Sequence, residues 1–342
     1  MKRKIALLVA PQRFELIEEE IPPVGEKELL VKIVTSGLCH SDMPSWLGTR
    51  AQILNEDDSS STVSPPPFPI RFGHEAQGIV EELGSKVTGF KVGDFVTGAI
   101  KPGYASYAVC PEDKLVKLPK GPKNPFDCIA EPLMCIVNIV RIACPEFGDT
   151  AVVIGCGCMG LLTIGGLRKS GAKNLIALDL VDERLEQAKQ WGATHTVNPS
   201  KEDAKKAVFE IGGGYGADVV VEISGNLKGL DTALAVLRDS KLWDHQGRGK
   251  ILVASVYGKD DQWSGNNGFE IVGKAPIIYG SHPRFATDPR ENYRRAIQAY
   301  EDDVMPIDRM ITHRFKLEEI NKGFEMLASN KDGYIKGILD LS

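Results

Sequence analysis

The chain has 342 residues, enough for about two domains, and its 42% hydrophobic and 25% charged composition is that of a globular protein with ample core. A formal net charge of −5 and a pI near 5.8 give no electrostatic footprint for nucleic acid or an anionic membrane, so small-molecule partners are expected. No apolar run approaches a membrane span, and seven cysteines without a paired framework point to free thiols in a reducing, cytoplasmic compartment.

Taken in order, Met1–Lys4 followed by Ile5–Ala10 has the charge-then-apolar order of a signal peptide, but the run stops at Pro11 with no cleavage-like segment and reads as a first strand. Short strands and turns continue to Val34, with Glu28–Val34 a clear β run. Cys39-His40-Ser41-Asp42 then packs a thiol, an imidazole, a hydroxyl and a carboxylate into consecutive positions, a density that suggests chemistry. The acidic, Ser- and Pro-rich stretch from Gly48 to Pro69 reads as an exposed loop that could border an active site. It ends at Gly73-His74-Glu75. Gln77–Leu83 reads as a strand, β character persists through Val109, and Asp127–Cys144 has the mixed three- and four-residue apolar spacing of a helix, with Glu131-Pro132 near its start.

From Ala151 the pattern changes to strands alternating with helices, the mark of a doubly wound parallel sheet. Strands are expected at 151–154, 174–179, 195–197, 218–223, 250–256 and 276–280. The first breaks into Gly155-Cys156-Gly157-Cys158-Met159-Gly160, a G-x-G-x-x-G turn opening an apolar helix. Its glycines suit a tight strand-to-helix turn, close approach of backbone to a pyrophosphate and close helix–strand packing, and the N–H groups at the helix start, around Cys158 and Met159, face an anion. Asp179, nineteen positions after Gly160, ends the second strand where a ribose-binding carboxylate belongs. Arg184 is a further cofactor candidate, with an ion pair to Asp182 or Glu183 on its own helix as the alternative. Arg290–Tyr300 and Leu317–Ser329 read as helices, and Thr312–Phe315 and Lys336–Leu341 as strands.

Cys39, His74, Glu75 and Glu131 have the side chains of a zinc site, in which three protein ligands and an open position mark a catalytic ion. Their separation in sequence leaves a buried cysteine and a core histidine as the alternative.

Gly37-Leu38-Cys39-His40-Ser41-Asp42, Gly73-His74-Glu75, Val92-Gly93-Asp94 and Gly103–Tyr107, in this order ahead of the glycine turn, resemble the zinc-containing medium-chain dehydrogenase/reductase family over essentially the whole chain. The resemblance implies a GroES-like, β-rich catalytic domain built from residues 1–148 and 286–342, with a Rossmann domain between them at 149–285. It maps zinc ligands onto Cys39 and His74. In the family's alcohol dehydrogenases a further cysteine completes the site, whereas in its polyol, sugar and threonine dehydrogenases a glutamate occupies that place within Glu-Pro-Leu, as Glu131-Pro132-Leu133 does here. In that sorbitol/polyol-type subgroup the residue matching Glu75 is commonly the third ligand, and the one matching Glu131 ligates zinc or holds its water. Asp42 matches a residue that orients the histidine ligand, and Ser41 the hydroxyl that takes the substrate proton. His40 matches a position that can touch the coenzyme pyrophosphate. Two departures stand out: Pro44 replaces a histidine of the proton relay, and the cysteine-rich lobe of many relatives is missing between Val96 and Gly103, so no structural zinc is expected.

The implied function is zinc-dependent hydride transfer between a polyol, sugar, cyclitol or amino-sugar-like alcohol and NAD, by a homo-oligomer, dimer or tetramer, with one catalytic zinc per chain. A simple alcohol or threonine-type dehydrogenase, and a nucleotide-binding protein without dehydrogenase activity, are the alternatives.

Overall fold

The computed structural model describes residues 1–49, 51–54, 60–63, 65–121, 123–239, 249–257, 262–263, 268–282, 286, 288–329 and 331–342. The chain forms two compact units, Met1–Leu133 with Pro306–Ser342, and Met134–Met305.

The first unit begins with the antiparallel pair β1 (Lys2–Ala10) and β2 (Arg13–Glu20), followed by β3 (Glu28–Gly37). A short helix, α1 (Met43–Trp46), accommodates Pro44 in its first turn, where a missing N–H costs nothing. The stretch expected to be a loop contains a hairpin: β4 (Ala51–Leu54) pairs antiparallel with β5 (Ser60–Val63), while residues 55–59 lie outside the described residues. The backbone groups there bond one another inside a segment whose polar, proline-rich composition hides two extended runs. Next come β6 (Ile70–Arg71), β7 (Ala76–Leu83), β8 (Phe95–Gly98), β9 (Tyr107–Pro111), β10 (Leu115–Lys117) and α2 (Ala130–Ala143).

In the second unit the expected alternation is present: β11 (Thr150–Ile154), α3 (Cys158–Leu167), β12 (Asn174–Leu178), α4 (Asp182–Trp191), β13 (His195–Val197), α5 (Ala204–Ile211), β14 (Val219–Glu222), α6 (Leu227–Val236), β15 (Lys250–Val253), α7 (Gly268–Lys274), β16 (Ile277–Gly280) and α8 (Pro289–Glu301). The parallel sheet runs β13-β12-β11-β14-β15-β16. Its central strands are buried along their length, as a sheet covered on both faces requires.

The chain returns to the first unit through β17 (Ile311–Lys316), α9 (Ile320–Ser329) and β18 (Lys336–Asp340), completing a sheet ordered β10-β8-β7-β3-β18-β17. Aromatic packing fastens the two chain ends together: Phe324 of α9 has its ring centroid 4.9 Å from Phe14 of β2 and 5.9 Å from Tyr104. The architecture is thus a GroES-like β unit made from both ends of the chain and a Rossmann-type unit between them.

The divisions fall at 133/134 and 305/306, not at the expected 148/149 and 285/286. Most of α2 and all of α8 pack with the nucleotide unit for a visible reason: Arg141 Nη1 donates to Asn292 Oδ1 at 2.6 Å, Asn138 Nδ2 to the Ser281 carbonyl at 3.1 Å, and Lys250 Nζ to the Ala143 carbonyl at 3.3 Å. Apolar periodicity marks these helices without saying which sheet they cover.

Candidate functional site

Three strands of the first unit converge on the metal-type residues. β3 ends at Gly37, which pairs with Ile338 of β18, while its neighbour Ser36 pairs with Ala76 of β7. Cys39 therefore leaves the end of β3, and His74 and Glu75 lead into β7. Gly73 makes the approach possible: it has φ +90°, and a Cβ there would stand 2.6 Å from the Tyr104 nitrogen.

Cys39, His74 and Glu75 bring one ligand atom each to within 4.8 Å of one another. A thiol, an imidazole and a carboxylate so placed are a donor set that fits zinc. Ser41, exposed on the 3-10 turn His40–Asp42, has its Oγ 3.1 Å from Cys39 Sγ and 3.5 Å from His74 Nε2. Behind the imidazole, Asp42 Oδ1 lies 3.5 Å from Nδ1, and the buried Tyr104 hydroxyl donates to Asp42 Oδ2 at 2.9 Å. This chain turns Nε2 toward the donor cluster, as the orienting carboxylate of a metal-ligating histidine does.

Glu131 lies in the first turn of α2, outside the three-donor cluster, although its charge acts on His74. Lys336 is the residue that the motifs do not single out. Its Nζ is 2.6 Å from Glu75 Oε2 and donates to the Leu38 carbonyl at 3.0 Å. The available signal is a lysine inside the apolar closing run Ile335–Leu339, where a buried ammonium demands a partner.

His74 and Lys336 offset the negative charge of the surrounding acids, while the acids repel one another. Burial opposes a proton on His74, but Asp42 and Cys39 outweigh it and hold the imidazole well above its usual range. Burial raises the Cys39 thiol, with Glu75 adding to the effect and His74 opposing it. Burial also raises Asp42, against His74 and Tyr104. Glu75 is held below the usual carboxylate range because Lys336 and His74 overcome its desolvation. Partial desolvation and the Lys336 charge lower the His40 imidazole below its usual range.

In the second unit Gly155 takes φ +99°, Gly157 caps α3, and Cys158 and Met159 form its first residues. A Cβ on Gly160 would fall 1.8 Å from the Gly155 carbonyl oxygen, so only glycine closes this turn. Asp179, the residue just after β12, does more than follow the strand: Oδ2 accepts from the Cys156 N–H at 2.7 Å and Oδ1 from the Val181 N–H at 2.9 Å. It thereby fastens the glycine turn. Arg184 Nη1 lies 3.9 Å from Asp179 Oδ2, whereas Asp182 pairs with Lys201 and Asn198. The expected alternative, an ion pair between Arg184 and its helix neighbours, gives way to a partner at the strand end.

The GroES-like domain of alcohol dehydrogenases matches residues 25–120 and the zinc-binding dehydrogenase domain residues 158–241. The chain is 31% identical to the L-threonine 3-dehydrogenase of Bacillus subtilis (strain 168), over 94% of this chain and 93% of that protein. It is 29% identical to the erythritol/L-threitol dehydrogenase of Mycolicibacterium smegmatis, over 97% and 96%. A solved zinc-binding dehydrogenase of Sinorhizobium meliloti 1021, bound to NADP, shares the fold with a TM-score of 0.82 at 24% identity, over 99% of both chains. Among the described residues no helix is long and apolar enough to cross a membrane. Two matching domains of zinc-binding alcohol dehydrogenases, relatives matching nearly from end to end, and a thiol, imidazole and carboxylate gathered in the GroES-like unit lead to one conclusion: the chain is an oxidoreductase of the zinc-dependent medium-chain dehydrogenase family.

Proposed function

We propose that the protein oxidises a hydroxyl of a polyol, sugar, cyclitol or amino-sugar-like alcohol with NAD, or reduces the matching carbonyl with NADH. The observation that carries this is Ser41, whose hydroxyl stands beside both Cys39 and His74. Cys39, His74 and Glu75 hold one zinc, and Glu131 contributes its charge at the edge of the set, holding water or joining as a ligand. When bound, zinc lowers the pKa of a substrate hydroxyl and the nicotinamide accepts hydride. Ser41 Oγ receives the hydroxyl proton and, being exposed, releases it to solvent, Pro44 supplying no further step. Asp42 and Tyr104 keep His74 in one ring orientation throughout. In the other unit, the N–H groups of Cys158 and Met159 take the pyrophosphate, and Asp179 with Arg184 takes the adenosine ribose. His40 is a further contact to the pyrophosphate.

A threonine-type reading is favoured by the 31% identical relative. Threonine and erythritol share a hydroxyl whose neighbouring carbon bears nitrogen or oxygen, and that adjacent-heteroatom alcohol is the class common to both readings. The free edge of β16, paired with β15 alone among the described residues and exposing Ile278 and Tyr279, supports a homo-oligomer. Free cysteines support a cytoplasmic location. The deciding experiment measures kcat/KM for sorbitol, erythritol, a cyclitol, L-threonine and ethanol with each coenzyme. A polyol or amino alcohol should lead, and ethanol outperforming all of them would refute the substrate class.

A further inference from the structure

One buried carboxylate of the nucleotide unit takes no part in this chemistry. Glu222, fully buried, ends β14 and pairs in the sheet with Ile154 at the end of β11. The chain lays β12 and β13 on one side of β11 and then crosses to lay β14, β15 and β16 on the other. Glu222 thus stands at the point where strand order reverses, outside whose C-terminal ends open α/β sheets bind their ligands.

Its oxygens gather three donors from two loops. Oε1 accepts from the Ser224 N–H at 2.8 Å and from the Ser224 hydroxyl, and Oε2 accepts from the Tyr257 hydroxyl, which arrives on the loop after β15. The same turn is tied again where the Gly225 N–H donates to Ser255 Oγ at 2.8 Å. Two glycines leave room for the arrangement. A Cβ on Gly229 would stand 2.4 Å from Glu222 Oε1, and a Cβ on Gly155 would stand 2.7 Å from Ser224 Cα. The Ser224–Asn226 turn therefore lies directly against the glycine turn, with Glu222 and Tyr257 behind it. Burial and Glu222 push the Tyr257 phenol well above its usual range, so it stays a donor at working pH.

We infer that Glu222 and Tyr257 form a latch that holds the Ser224–Asn226 turn against the glycine turn and so sets coenzyme affinity, Tyr257 being a positioning residue that acts through Glu222. The inference rests on the dinucleotide site proposed above. A buried carboxylate satisfied by three donors can also serve stability alone, and the two roles separate in one experiment.

Tyr257→Phe keeps the ring and deletes one donor. NADH affinity, read by fluorescence titration, and KM for NAD should both worsen roughly tenfold, the effect of one hydrogen bond to a charged group. Zinc content, KM for the alcohol and kcat at saturating NAD should stay as in the wild type. Glu222→Gln, with one accepting oxygen in place of two, should weaken NADH further. A thermal midpoint that falls in Tyr257→Phe while NADH affinity holds would reduce the latch to a structural contact and overturn the inference. Unchanged affinity in both variants would do the same. A wild-type protein that binds neither NADH nor NADPH would instead overturn the coenzyme site, and the latch with it.

Discussion

Lys336 reaches from the closing strand to within 2.6 Å of Glu75, the residue beside His74, and both side chains are buried. Gly37 of β3 makes the space, because a Cβ there would stand 1.9 Å from Glu75 Oε2. Removing one partner of a buried pair strands the other, at a cost of about 3–5 kcal/mol. Lys336→Met should therefore lower zinc-free stability markedly in urea unfolding, and adding Glu75→Gln should restore much of it. A double variant as unstable as Lys336→Met would show that the lysine acts through something other than this carboxylate.

Zinc content should report the donor set directly. One zinc per chain is expected, with Cys39→Ala losing nearly all of it, since metal binding draws on the thiolate. Glu75 belongs to the donor cluster and Glu131 does not, so Glu75→Ala should lose more zinc than Glu131→Ala, which should chiefly lower kcat. Asp42→Asn should cost about 10–100-fold in zinc affinity or activity by freeing the His74 ring. Full activity in Cys39→Ala, or two zincs per chain, would reject the assignment.

How much of this can be read from the chain alone follows from how local each feature is. The glycine turn, its strand and Asp179 lie within one βαβ unit, and Cys39–Asp42 within one turn, so spacing and side-chain type carry the message. Glu75 meets Lys336, and Glu222 meets Tyr257, across stretches of chain whose meeting depends on strand order. No motif encodes those pairs. The unit boundaries escape for a related reason: α2 and α8 are recognisable helices, yet Arg141 and Asn292 reveal only in three dimensions that they pack together. Asp179 is partly legible. Its position at the strand end is what motivates the proposed ribose contact, while its grip on the Cys156 and Val181 N–H groups depends on the turn's path.

Thiol reactivity should sort by environment. Burial pushes Cys110 up to about 12, and burial with Asp179 does the same to Cys156, whereas Cys144 is exposed. The thiolate is the nucleophile. Brief iodoacetamide treatment of the folded protein at pH 8, read by peptide mass spectrometry, should label Cys144 first and leave Cys110 and Cys156 unmodified. Early labelling of Cys156 would mean that the glycine turn opens in solution.

Acid sensitivity has one identifiable contributor near the chain's end. Against the cost of burial, Lys316 and Ser342 hold the Asp340 carboxyl at about 2 instead of 3.8. A carboxyl depressed in the folded state contributes stability above its unfolded pKa, and that contribution fades as pH falls from about 4 toward about 2. Asp340→Asn should be less stable than the wild type at pH 7 and converge with it by about pH 2. Parallel stability curves across that range would remove Asp340 from the acid response.

NAD should be preferred over NADP, and Asp179 is the reason. Its side chain is held at the end of β12 by two backbone N–H groups, so it cannot swing away from an incoming 2′-phosphate without loosening the glycine turn. Two unit charges about 4 Å apart repel by roughly 4 kcal/mol at an effective dielectric near 20. Solvent access and the neighbouring Arg184 guanidinium, 3.9 Å from Asp179, reduce this. About 2–3 kcal/mol should remain, a tens- to hundreds-fold preference in kcat/KM. Arg184→Ala should widen the preference by removing a cation that offsets the carboxylate there. Asp179→Ser should narrow it chiefly by losing NAD activity, because the same substitution releases the Cys156 N–H. Kinetics with both coenzymes for the three proteins decide the matter: a wild type that uses NADP as well as NAD would mean that Arg184, not Asp179, governs the ribose site.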